Sequence, residues 1–484
     1  MLPIEILLAI EILVNHNKDR RMIINIVLLL CILTLINCYI NNINIKKITT
    51  ISTSLSAASV SSVIDTPKTD KTLQFPLGNI AFSLLPLSPE AVGRRKTIIT
   101  EVVKNKIWTL DQVQGIINVN VPVRCTIIKL KDGLFINNPV APTPECIQYI
   151  RKIEEEQKCN VKYITLASLA LEHKGTCGSF SSKFPKASVY LQPGQYSFPV
   201  SLPSAFFFPL GKTLKTIPDD FRDAPWADEI EHQVLPTLKP PGVGGFAETA
   251  FFHKDTNTLL VTDTIIRVDD EPPAIINEDP RPLLYHARDN MLQVIKDTKE
   301  NRRKGWRRMV LFALTFQPSG INVTDTFEAI KMLDKVTPEM KKLGDKAIPY
   351  DGGLYPWEWI EDDKPNFKSF QGGLLVAPIL QKLILNRDPE IVLEWADKVA
   401  KWPIKRIIPC HFSNDLKATS KEFRKAFEFL EEPEKVPFPL SLFSTPKKLV
   451  PFPNERDCSL LSNASKELTK SGVLFPEAPL VRRK

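Results

Sequence analysis

Apolar and polar positions fall into a regular pattern from Arg124 onward. Arg124-Cys-Thr-Ile-Ile-Lys-Leu130 reads as a strand, Lys131-Asp132-Gly133 as a turn, and Leu134-Phe-Ile136 as the returning strand, ending in Asn137-Asn-Pro139. Asp-Gly between two apolar runs is a strong hairpin signal, because glycine tolerates the backbone angles of a tight turn. Residues 144–157 place Ile147, Ile150 and Ile153 on one face with polar residues opposite, the pattern of an amphipathic helix. Residues 161–167 predict a strand that stops at a loop containing Glu172-His173-Lys174-Gly175. A short helix and a strand over 187–191 follow. Beyond a proline-rich excursion, residues 199–241, a second hairpin pairs 248–253 with 258–265. Residues 391–401 are helical, and 404–409 form a strand delivering Cys410-His411-Phe412. Strands alternating with helices predict α/β layers.

The front of the chain has a different texture. The apolar stretch from Met22 to Ile36 follows Lys18, Arg20 and Arg21, and no Asp or Glu occurs between Arg20 and Ile64. The stretch is shorter than the ~20 residues a spanning helix needs and matches the apolar region of a signal peptide. The Ser/Thr/Asn-rich, acid-poor residues behind it complete a two-part address of the kind that directs proteins to a plastid (chloroplast). The alternative is an uncleaved membrane anchor, which is also the one expected route to membrane contact. Residues 1–64 are therefore set apart as a targeting segment and 65–107 as a lead-in containing Pro and Ser. The body is expected over 108–430, and a Pro-rich C-terminal extension over 431–484.

Composition narrows the function classes. With 43% hydrophobic and 24% charged residues the 484-residue chain is an ordinary globular protein. A net charge of +8 at this length is no footprint for nucleic acid, and no partner is indicated. The eight cysteines lack paired spacing and fit free thiols in a reducing compartment. Cys177 and Cys410, near or beside histidines, are candidate thiol nucleophiles or ligands. Six histidines are too few for a histidine-rich two-metal enzyme.

His173, Asp263 and His411 stand just past the ends of three strands, where α/β proteins assemble sites. Ligands converging from separate strands suit a divalent metal. If residues 254–257 turn the second hairpin, His253 faces Thr258 and Asp263 falls opposite Glu248. His253 is then roughly 17 Å from Asp263, at ~3.4 Å per residue, and is a poor ligand candidate. Opposed carboxylates need a cation, a proton or a basic neighbour between them. His232 reads as the polar face of an amphipathic helix and His286 as surface. Arg302-Arg-Lys-Gly-Trp-Arg-Arg308, ahead of apolar 309–316, reads as a solvated face or as a membrane-surface or anion patch. Neither a phosphate loop nor a Gly-x-Ser-x-Gly elbow is present.

At this point a resemblance enters. The hairpin over 125–139, the stretch 163–178, Leu259-Leu-Val-Thr-Asp263 and Ile407-Ile-Pro-Cys-His411 together resemble the metallo-β-lactamase fold. More narrowly, several segments resemble the plant, algal and bacterial family catalogued as domain of unknown function 4336. They are Leu171-Glu-His-Lys174, Phe184-Pro-Lys-Ala187, Gln192-Pro-Gly-Gln-Tyr-Ser-Phe-Pro199, Pro225-Trp-Ala-Asp-Glu-Ile230, Glu248-Thr-Ala-Phe-Phe-His253 and Thr258-Leu-Leu-Val-Thr-Asp263. The resemblance implies an αββα four-layer sandwich. It also implies a metal motif His-x-His-x-Asp-His, whose last two positions fall on Glu172 and His173. Ser168 and Ala170 then occupy the first metal's histidine positions, and a further expected histidine falls in Pro240-Pro-Gly-Val-Gly-Gly245, which has none. The first metal site is thus lost, while Glu172, His173, Asp263 and His411 resemble the second.

His173, Asp263 and His411 would hold at most one zinc or iron ion, with Glu172 or Glu248 as candidate catalytic base; no other cofactor is implied. Two functions follow: a binding or assembly scaffold without the ordinary two-metal hydrolysis, or a one-metal hydrolase of a small ester or thioester-like substrate.

Overall fold

The computed structural model describes residues 96–116, 119–195, 212–238, 245–324, 355–433 and 455–482, with isolated positions between 325 and 354. The targeting segment and most of the proline-rich excursion's glycine stretch, 239–244, lie outside the described residues.

A first sheet runs in chain order: β1 (Ile98–Val103), β2 (Ile107–Ile116), β3 (Val119–Leu130), β4 (Gly133–Asn137), β5 (Val161–Leu166), β6 (Ser188–Leu191) and β7 (Leu214–Thr216). β1 to β4 are antiparallel neighbours, and β4 to β7 are parallel. The parallel turnover needs a crossover, supplied by α1 (Pro144–Gln157) and α2 (Leu171–Ser181). The Asp-Gly hairpin pairs Leu130 with Gly133, and Gly133 adopts φ 148° there. α1 matches its expected bounds: Thr143 caps its start by accepting from the Cys146 N–H at 3.2 Å, Pro144 opens it, and Lys158 ends it at φ 53°.

The second sheet takes the order β14-β13-β10-β9-β8, with β8 (Ile230–Leu238), β9 (Phe246–His253), β10 (Thr258–Val261), β13 (Arg406–Pro409) and β14 (Leu416–Lys417). β11 (Ile321–Val323) and β12 (Trp357–Trp359) form a separate pair. The other helices are α3 (Ala274–Asn277), α4 (Arg281–Ala287), α5 (Lys299–Thr315), α6 (Asp363–Lys368), α7 (Pro378–Leu383), α8 (Pro389–Val399), α9 (Ser420–Lys425) and α10 (Ser459–Lys470). Among the described residues no helix is long and apolar enough to cross a membrane.

Period-two alternation along the strands fixes the layers. In β4, Leu134 and Ile136 face a core shared with Ile150 and Ile153 of α1, whereas Phe135 faces the second sheet, 5.2 Å from Phe251. In β10, Leu260 joins that inter-sheet core, while Leu259 and Val261 pack outward with Trp306 of α5 and Trp395 of α8. Helix, sheet, sheet, helix is the αββα order expected from the resemblance. All eight residues of β9 are buried, as a strand covered on both faces must be. Leu461 of α10 and Leu474 beyond it belong to the outer core, so part of the C-terminal extension packs into the body.

Four readings of the sequence need correction. Glu172-His173-Lys174-Gly175 is the first turn of α2 rather than a loop; its cap residue, Ala170, has no side chain to announce a start. His232 lies on β8, where Ile230, His232 and Val234 alternate inward between half-buried Glu231 and Gln233. His286 is buried in α4, its ring 5.2 Å from those of Tyr285 and Phe312. The basic run belongs to α5, and Arg307 and Arg308 point inward: both donate to Asp363, at 2.6 and 3.0 Å. Gly305 lets this helix pack closely on α4, since a Cβ there would meet the Leu283 carbonyl oxygen at 1.7 Å.

Candidate metal centre

Three strand ends supply the site. β5 runs into Ser168 and the first turn of α2, which presents Glu172 and His173; β10 is followed by Asp263, and β13 by His411. One ligand atom from each of Glu172, His173, Asp263 and His411 lies within 4.8 Å of the others. His173, Asp263 and His411 are buried, and Glu172 is half-buried. The two imidazole rings stand 5.3 Å apart, tilted by 51°. His411 Nε2 is 3.2 Å from Asp263 Oδ1, and its Nδ1–H donates to the Pro122 carbonyl at 2.8 Å, so that in the neutral ring Nε2 is the lone-pair nitrogen facing the cluster.

His173 is fully buried, and among the described residues neither of its ring nitrogens has a hydrogen-bond partner. Burial holds this imidazole neutral, pushing its pKa down to about 4. A neutral imidazole with a lone pair, facing a carboxylate and a second imidazole, is the donor set a divalent cation requires. Burial also opposes the His411 cation, but the adjoining Asp263 carboxylate outweighs it and holds His411 above its ordinary value. The residues present therefore fit a metal ion: two nitrogens and two carboxylates are a donor set for a divalent cation.

The surrounding network explains why these side chains meet. The hairpin register pairs Thr258 with His253 and Leu260 with Phe251, so the β9–β10 pairing runs as expected and brings Glu248 beneath the turn after β10. There Glu248 accepts from the backbone N–H groups of Thr262, Asp263 and Thr264 at 2.7 to 3.0 Å, and from the Thr264 hydroxyl at 2.8 Å. Backbone amides, rather than a lysine or a solvent shell, offset its opposition to Asp263. Burial is the main cause lifting its pKa to about 7, with the Asp263 charge adding to it. Glu248 is not part of the ligand cluster. His253 sits at the other end of the hairpin, bonded to Thr256 at 2.8 Å.

Sequence reasoning missed two residues. Asn138, at φ 49°, accepts from the Ala167 N–H through Oδ1 and donates through Nδ2 to Thr262 Oγ1 and Cys410 Sγ, joining the ends of β5, β10 and β13. Arg124, a buried cation inside an apolar strand, donates to the Pro409 and Phe412 carbonyls. A charged residue in the middle of such a strand was the available signal. Cys177 and Cys410 are buried thiols outside the cluster; burial lifts Cys177 to about 12 and also pushes Cys410 well up, so neither is a ready thiolate. Ser168 and Ala170 hold no metal-ligating group; Ser168 Oγ is 3.4 Å from Asp263 Oδ2 and accepts from the Ala170 N–H.

Among solved structures the chain is similar to a metallo-β-lactamase from Pontibacter korlensis, at 10% identity over 35% of this chain and 73% of that one (TM-score 0.27). It is similar to the metallo-β-lactamase FIM-1 from Pseudomonas aeruginosa in its mono-zinc form, at 10% identity over 35% and 70% (TM-score 0.28). The metal-soaked Flv1 flavodiiron core from Synechocystis sp. PCC6803 is similar over 69% of this chain and 60% of its own, at 10% identity (TM-score 0.35). No curated protein matches the sequence. Residues 104–429 match the family described as a domain of unknown function (DUF4336), and to that family the chain belongs.

Proposed function

We propose that this protein is a mononuclear metal protein: one zinc or iron ion, held by Glu172, His173, Asp263 and His411, ties the ends of its two sheets together. The observation that carries this reading is His173, whose two buried ring nitrogens, beside a carboxylate and a second imidazole, lack a hydrogen-bond partner among the described residues. In this reading the protein is a binding or assembly scaffold, because Ser168 and Ala170 stand where a first metal's ligands would be needed for two-metal hydrolysis. A second reading is favoured by Glu172 alone. It is the one half-buried member of the cluster, and if it swings aside, His173, Asp263 and His411 leave a position for water, the open pattern of a catalytic zinc site. The protein would then hydrolyse a small ester or thioester.

Metal analysis of the full-length chain purified without chelator tests both. We expect about one ion per chain, lost in His173→Ala and His411→Ala. A metal-free wild type at neutral pH ends the metal reading. Hydrolysis of a nitrophenyl ester by the zinc-loaded protein, abolished in His173→Ala, would replace the scaffold by the hydrolase. We further propose that residues 1–64 direct the protein to a plastid; a fluorescent reporter carrying them should collect there, and a cytosolic reporter would refute this.

A further inference from the structure

We propose that Arg124 is a positioning residue for His411: it clamps the segment carrying this ligand against the first sheet and so aims Nε2 at the ion. The inference rests on the metal reading above and adds a residue that is not itself a ligand.

His411 is delivered by the second sheet, where the Cys410 N–H donates to the Thr262 carbonyl, yet its ring and the carbonyls on either side of it are also held by β3 of the first. Pro122 accepts the His411 Nδ1–H at 2.8 Å. Two residues along the strand, Arg124 donates from Nη1 to the Pro409 carbonyl at 2.6 Å and from Nη2 to the Phe412 carbonyl at 3.0 Å. These carbonyls flank His411 on both sides. Phe412 itself sits at φ 57°, a left-handed conformation that a bulky residue seldom adopts without support. The segment therefore takes a turn that its own sequence does not favour, and the guanidinium spans that turn.

Arg124 is 1% exposed, so its charge must be matched. Asp111 does this from the register position directly opposite on β2, with Oδ1 2.6 Å from Arg124 Nε. Neutralising Asp111 would need only a cation, and a lysine would serve. Reaching two carbonyls on either side of a ligand while holding a carboxylate on the third edge needs the planar fork of arginine. Partners that fix the ring and tautomer of a ligating histidine typically change metal affinity by 10–100-fold.

The test uses the full-length chain with Arg124→Lys, which keeps the charge beside Asp111 and loses the fork, and Asp111→Asn, which frees the guanidinium. Zinc affinity is measured by competition and the ligand field by the visible spectrum of the cobalt(II)-loaded protein. We expect roughly 10–100-fold weaker binding and shifted cobalt bands in Arg124→Lys, with a smaller change of the same kind in Asp111→Asn. In chelator, amide exchange over residues 409–412 should quicken in both while the rest of the second sheet is unchanged. Folded variants with wild-type affinity, spectrum and exchange would overturn the clamp. Should Arg124→Lys not fold, Asp111→Asn decides by the same readouts. Failure of wild type to bind either ion overturns the metal reading beneath, and is recognised without any variant.

Discussion

Histidine provides the sharpest contrast at the scale of single residues. His253 and His173 are both buried and both held neutral, with pKa values pushed down to about 4. His173 has no partner on either ring nitrogen, whereas His253 bonds Thr256 through Nδ1. Burial alone therefore does not single out a candidate ligand; what sets His173 apart is that it also faces the Asp263 carboxylate and the His411 ring. His253 lies far from the cluster and gives a clean pH prediction. Its folded pKa is below the unfolded value of about 6.5, so the unfolded chain binds the proton more readily. Stability is complete above pH 6.5 and is lost as the pH falls from there through about 4. A shift of this size is worth up to about 3 kcal/mol. Urea unfolding at pH 7 and pH 4.5 should show wild type losing more stability than His253→Gln across this window. Equal losses would mean that His253 remains hydrated or charged in the fold.

Elements defined by short-range signals were legible, and those defined by distant partners were not. The Asp-Gly turn fixed the β3–β4 hairpin, and the spacing around 254–257 gave the β9–β10 register, because both depend on residues close in sequence. The helix expected around His232 gives way to the start of β8, where Ile230, His232 and Val234 alternate, because the preceding residues 226–229 obscure the period. The ligand cluster could be assembled from strand ends, but its clamps could not: Arg124 meets Pro409 across 285 positions and Asn138 meets Cys410 across 272. In α5 the apolar run was visible, while the inward turn of Arg307 and Arg308 depends on Asp363, a distant residue that becomes their shared partner. Gly305 is the point where this helix is most exposed to test. Alanine has the higher helix propensity by about 1 kcal/mol, yet its Cβ would strike the Leu283 carbonyl, which is backbone and cannot rotate away. Overpacking of this kind typically costs ~1–3 kcal/mol. Gly305→Ala should therefore lower the thermal midpoint; a raised midpoint would show that α4 and α5 can separate without loss.

For the molecule as a whole, the proposed ion is a crosslink between layers. Glu172 and His173 follow β5 of the first sheet, whereas Asp263 and His411 follow β10 and β13 of the second. The sheets already share an inter-sheet core of Phe135, Tyr163, Trp226, Phe251 and Leu260, so the fold does not depend on the ion, but the ends carrying the ligands gain from it. In the unfolded chain only Glu172 and His173 stay adjacent while Asp263 and His411 are distant, and no equivalent site survives. Zinc must then stabilise the folded state in proportion to the logarithm of its concentration, by about 2.7 kcal/mol at a hundredfold excess over the dissociation constant. For a protein of this size each kcal/mol is worth about 1–1.5 °C in the thermal midpoint. Titrating zinc into chelator-treated protein should raise the midpoint by roughly 3–4 °C at that excess, with a concentration dependence that His173→Ala abolishes. His253→Gln should keep the full response, because that histidine lies at the far end of its hairpin. A midpoint indifferent to zinc in wild type, or a rise that persists in His173→Ala, would place any bound ion elsewhere and leave the two sheets joined by their apolar core and by the hydrogen bonds of Arg124 and Asn138.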